Sequence, residues 1–110
     1  MKNLFASIKI APVLLLFITM TESSIAGDEN IIVKYRGEVN LESYQCDWIS
    51  RSSLIKRLCY DSSQLHVIVL LKQTYYQYCV VPKKVISEWA KSSSMGEYYN
   101  SNVKGNFHCN

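Results

Sequence analysis

Tyr75, Tyr76 and Tyr78 put three phenol rings into four positions, and Cys79 follows at once. Such a cluster has two uses. Exposed rings stack flat ligands, roughly 1–3 kcal/mol per base in the nucleic-acid case. Half-buried rings pair across a sheet for roughly 0.2–1 kcal/mol each. Tyr76 and Tyr78 are two apart, so on a strand they share one face. They are the first candidates for ligand contact. Tyr98 and Asn100, in the run YYN, come next. Arg51, Lys56, Lys83 and Lys84 are the candidate cations; with Arg57 and Lys104 they could form an anion-binding patch. Lys83-Lys84 at a helix start opposes the helix dipole, a small cost that marks them as possible ligand contacts.

The inventory for catalysis is thin. A cysteine nucleophile needs a thiolate and a base, and the four cysteines are expected to pair. Ser52-Ser53 and Ser92–Ser94 lack a glycine-flanked nucleophile turn. His66 falls within a strand pattern. Asp47, Asp61, Glu88 and Glu97 show no paired spacing, and no Gly-rich phosphate loop is present. CxxC and HxxxH are both missing, which argues against metal. No catalytic residue, metal or cofactor is therefore assigned.

Compartment bounds the remaining choices. Lys2 and Lys9 precede the apolar run Ile10–Met20, and Ser24 and Ala26 are small residues two apart. This is the pattern of a secretory signal peptide over 1–26. The 12 residues between Lys9 and Glu22 fall short of the roughly 20 that span a bilayer, so no stable membrane insertion is expected after cleavage. What remains, 27–110, has 84 residues and a net charge of +2. That is one domain, and too mildly basic to argue for nucleic acid. Cys46, Cys59, Cys79 and Cys109 all lie in it. Export meets oxidising conditions, so two disulfides are expected, each adding about 2–4 kcal/mol to a small core.

These residues must be held by few elements. Ile31–Tyr35 is a short β-prone run closed by Arg36-Gly37, and Val39–Cys46 reads as extended or irregular. Leu54–Tyr60, Leu65–Leu71 and Tyr75–Val81 read as three strands with short polar links, hence an antiparallel meander. Leu65–Leu71, apolar throughout except His66 and rich in β-branched residues, belongs in its middle. Pro82 suits a helix start. Val85, Ile86, Trp89 and Ala90 form one apolar stripe at helical period, and the helix should stop near Ser92–Ser94 with Gly96 beyond. Met95-Gly96 reads as a tight turn, and the tail Tyr98–Asn110 as a segment laid across the sheet or helix and pinned through Cys109.

The meander limits the disulfides. Cys59 and Cys79 fall on its outer strands, each roughly opposite Val67. Two strand spacings of about 4.8 Å exceed the Cα reach of a disulfide, roughly 4.4–6.8 Å. Cys46–Cys59 with Cys79–Cys109, and Cys46–Cys79 with Cys59–Cys109, both remain.

The stretch from Ser52 to Phe107 resembles the KTSC domain, a small module named after the C-terminus of some lysyl-tRNA synthetases. SSLI at Ser52–Ile55, Tyr60-Asp61, Leu65, Val67 and Val69, Tyr76-Gln77-Tyr78, Val81-Pro82, MGEYYN at Met95–Asn100 and Val103 occur in that family's order and spacing. YRGEVNLESYQC at Tyr35–Cys46, with the remaining cysteines, is similar to an exported, cysteine-bearing branch. The resemblance implies a β-β-β-α module over 49–110, preceded by an N-terminal extension over 27–48. It implies no established activity; the synthetase fusion points to RNA, with Tyr76 and Tyr78 as its candidates.

The expected protein is thus α+β: a small three-stranded antiparallel meander followed by one helix, with disulfide-tied terminal segments. Its expected function is non-enzymatic binding in the periplasm or outside the cell. A protein or an envelope polymer is the expected partner, and RNA binding through the YxY strand is the alternative.

Overall fold

The computed structural model describes residues 29–110, so the expected signal peptide over 1–26 lies outside the described residues. Six strands form one sheet: β1 Asn30–Val33, β2 Gly37–Asn40, β3 Gln45–Trp48, β4 Ile55–Asp61, β5 His66–Leu71 and β6 Thr74–Tyr78. Their order is β2-β1-β6-β5-β4-β3. Neighbours run antiparallel except β1 and β6, which run parallel. Helix α1 spans Lys83–Lys91 and helix α2 Met95–Tyr98, and a π-helical turn, Tyr99–Val103, continues α2.

The β4-β5-β6 meander is present, with β5 in its middle. Val67, Ile68 and Val69 are fully buried because strands flank β5 and side chains cover both faces. The expected three-stranded sheet with one helix is nevertheless corrected to a six-stranded mixed sheet with two short helices. Two causes account for the difference. β1 joins β6 through a distant parallel pairing, Val33 opposite Tyr75, which hairpin logic between sequence neighbours does not reach. β3 (QCDW) is mostly exposed and carries no alternation; the ladder to β4 and the Cys46–Cys59 bond hold it.

The sheet is strongly curled. β2 and β3 are its two edges, yet only Leu41–Tyr44 links them. Six flat strands would set the edges roughly 24 Å apart at ~4.8 Å per strand, whereas five residue steps reach about 18 Å. Curling brings the edges together, and Leu41 packs with Ile31, Val33, Cys59 and Ile68 on the concave face. Across that face Arg57 bonds Glu29 at 2.9 Å and the Tyr75 hydroxyl at 3.1 Å. A bulge between Ile55 and Arg57 lets Ile55 and Leu58 share the opposite face while Arg57 points to the concave one.

That opposite face carries the larger core. Leu58, Val67, Val69 and Tyr78 pack with Val81, Trp89, Met95, Tyr99 and Val103. Trp89 is fully buried and donates through Nε1 to the Met95 carbonyl at 3.0 Å. Val85 and Ile86 join it from the predicted stripe, whereas Ala90 is exposed. The tight turn expected at Met95-Gly96 is instead the start of α2. Ser94 caps it, its Oγ accepting from the Glu97 amide.

The disulfides are Cys46–Cys59 and Cys79–Cys109, which selects one of the two pairings left open. Cys59 stands opposite Ile68, one step from the expected Val67; Tyr78 stands opposite Val67, with Cys79 one step beyond. No helix of the described residues is long and apolar enough to cross a membrane.

Candidate functional site

Parallel pairing fixes what lies beside the YxY strand. Val33 opposite Tyr75, with the Lys34 amide donating to the Tyr75 carbonyl at 2.9 Å, sets the β1–β2 turn against the middle of β6. The turn carries Lys34, Tyr35 and Arg36, and it turns sharply because Tyr35 and Gly37 both hold positive φ, 69° and 90°. Tyr35 is 88 % exposed.

A second wall comes from the end of the chain. The Cys79 amide donates to the Phe107 carbonyl at 2.8 Å, and Cys79–Cys109 closes the same segment onto the end of β6. Phe107 packs against the helix-side core. Between turn and tail lies a groove of about 700 Å³, within the size range of ligand sites. Tyr76 and Tyr78 form its floor, Tyr99 its base, Lys34 and Arg36 one rim, and Lys104 and His108 the other.

The two floor tyrosines differ. Tyr78 is buried, and its hydroxyl lies 2.6 Å from that of Tyr99, with the rings meeting edge to face at 6.1 Å. Burial, reinforced by the bond to Tyr99, pushes the Tyr78 phenol well above the usual tyrosine range. It therefore stays protonated and serves the floor as packing and as one half of a hydroxyl pair. Tyr76 is only half-buried, and Lys34 Nζ lies 6.0 Å from its ring centre and 5.4 Å from that of Tyr35. A cation between two rings is a mixed basic and aromatic surface.

Lys34, Arg36 and Lys104 line the groove with no aspartate or glutamate beside them. Among the described residues the ion pair is Arg57–Glu29, on the concave face. The groove is thus a positively charged recess with a tyrosine floor, suited to an anionic ligand that has flat or weakly polar faces.

Of the eight candidates read from the sequence, the structure brings Tyr76 and Tyr78 together in the groove. The others lie elsewhere. Arg51 donates to the Ser92 and Ala90 carbonyls at 2.9 and 2.8 Å, closing the C-terminus of α1. Lys56 reaches the Ser52 carbonyl at 3.4 Å. Lys83 and Lys84 are exposed in the first turn of α1. Tyr98 stacks on Trp89 at 6.2 Å and donates to Glu88 at 3.1 Å, and Asn100 is exposed. The cations do not form one patch. Lys34, Tyr35 and Arg36 carried no signal of a site in the sequence, because only the parallel β1–β6 pairing places them there.

All four cysteines are bonded, so no thiol is present. Asp61 is fully buried and spent on its neighbours: it accepts from Ser43, Ser63 and Gln64 at 2.7–3.2 Å. Burial opposes its charge, but the bonds from Ser63, Ser43 and Gln64 outweigh burial and hold its carboxyl far below the usual range. Among the described residues no group of three His, Cys, Asp or Glu side chains could hold a metal.

Fold and groove together define a small module, a six-stranded mixed sheet with two short helices, that carries a basic, tyrosine-floored recess. Residues 51–107 match the KTSC domain, more than half of the chain, and the protein belongs to that family. Among solved structures it is similar to a KTSC domain protein of Yersinia pestis. That structure is 28% identical with a TM-score of 0.57, over 61% of this chain and 94% of the other. A comparison with curated proteins finds no match. The family match begins after β3, so β1 to β3, one rim of the groove included, lie outside the matched segment.

Proposed function

We propose that this protein is an exported, non-enzymatic binding module whose ligand occupies the groove between the β1–β2 turn, β6 and the C-terminal segment. One observation carries this reading. Tyr76 stays half-buried at the floor of a recess of about 700 Å³, and cations line both sides of that recess with no aspartate or glutamate side chain among them. Tyr78 beside it is covered, so Tyr76 is the floor ring that a ligand could reach. The two disulfides support export, since paired cysteines persist outside reducing compartments. The bonded cysteines and the fully engaged Asp61 support binding over catalysis.

The test is retention of an envelope or periplasmic component on the immobilised, oxidised protein. The expected result is a component whose retention falls about tenfold or more with Tyr76→Ala, the size of a lost stacking contact, and is unchanged with Lys83→Ala/Lys84→Ala. Repeatedly empty eluates, or retention indifferent to Tyr76→Ala, would count against the groove.

Single-stranded nucleic acid is the second reading, favoured by Lys34 lying between the Tyr35 and Tyr76 rings. Its mark is binding to short single strands that falls steeply with salt and is lost with Tyr76→Ala.

A further inference from the structure

Three features of the groove narrow its ligand. Its side-chain charge is one-sided: Lys34 and Arg36 stand on the β1–β2 turn, Lys104 stands on the C-terminal wall, and no aspartate or glutamate side chain lines the recess. Cations on opposite walls match a ligand with anionic groups on both sides of a central ring. A single terminal anion would need only one wall. The ring surface is limited. Tyr78 is covered and its hydroxyl is taken by Tyr99, so Tyr76 and the exposed Tyr35 are the faces on offer. Two faces separated by a lysine suit the weakly polar C–H faces of sugar rings. A track of successive stacked bases needs a longer aromatic platform and a backbone-following basic stripe. Finally, the wall made by the C-terminal segment depends on Cys79–Cys109, a bond that persists in oxidising surroundings, so the ligand is one met there.

We propose that the groove binds an acidic polysaccharide segment, one sugar ring lying on Tyr76 with its flanking carboxylates held by Lys34 and Lys104. This rests on the groove being the ligand site and adds the chemical class of the ligand.

Calorimetric titration of the oxidised protein separates the possibilities. The probes are a linear uronic-acid tetramer, the same tetramer with its carboxyls methyl-esterified, and a short oligothymidylate. The expected result is binding of the acidic tetramer that weakens as salt rises. The neutral ester should bind about tenfold more weakly, and Lys34→Ala/Lys104→Ala should cost the acidic tetramer about tenfold, the scale of losing two exposed charge contacts. Equal binding of acidic and neutral tetramers would overturn the charge assignment. Tighter binding of oligothymidylate would replace the ligand class with nucleic acid and leave the groove as the site. Binding of none of the three would overturn the polysaccharide. The groove reading would then still be judged separately, by whether Tyr76→Ala lowers retention of an envelope component.

Discussion

Asp61 shows how much one carboxylate organises in a small sheet. It lies at the end of β4, buried, and its two oxygens collect the turn into β5 through Ser63 and Gln64 and the β2–β3 link through Ser43. Its folded pKa is lowered. Its stabilising effect is therefore complete above its unfolded value, near 4, and is lost as pH falls from there towards the folded value. Asp61→Asn should destabilise the protein by about 2 kcal/mol at neutral pH, the scale of charge-assisted hydrogen bonds. It should also flatten the loss of stability below about pH 4. Urea unfolding of both proteins across pH 2–7 measures it, and a variant whose acid limb runs parallel to the parent would contradict the role given to Asp61. Tyr78 and Tyr76 mark the same contrast between covered and available groups: one bonded to Tyr99 below the groove, the other open to it.

At the scale of elements, the two disulfides do different work. Cys46–Cys59 joins strands already paired in the ladder, with a sequence separation of 13. Cys79–Cys109, with a separation of 30, holds the segment that forms one groove wall. Chain-entropy reasoning gives both similar weight, about 3 and about 4 kcal/mol. Their effects on binding should nevertheless diverge. Replacing Cys79 and Cys109 by serine should free the tail and abolish ligand retention while the sheet remains. Replacing Cys46 and Cys59 should lower the melting temperature with retention kept. Melting curves and retention assays on the two double variants check this. Elements also explain what the sequence made legible. β4, β5, β6 and α1 could be read because hydrophobic period, β-branching and Pro82 all agree on them. α2 could have been found from Ser94 and Glu97, which have the spacing of a capping box. β3 could not, since its residues bury little and it is held by pairing and a covalent bond.

At the scale of the whole molecule, the long-range pairing of β1 with β6 creates the groove. β1 pairs with its neighbour β2 on one side and must also lie parallel to the distant β6 on the other before Lys34, Tyr35 and Arg36 meet Tyr76. Nothing local in IIVKYRG announces that partner, so the YxY half of the groove was legible and the basic half was not. The family match covers the β4-to-tail part, and the N-terminal strands supply the added rim. On the proposed reading, ligand enters where these two parts meet, and amide chemical-shift mapping of the oxidised protein during titration with the uronic-acid tetramer tests this. The largest shifts should fall together on residues 34–36, 76–78 and 104–109, and shrink with Tyr76→Ala. Shifts centred instead on Lys83-Lys84 at the start of α1, or on the Trp48–Arg57 pair of β3 and β4, would contradict it.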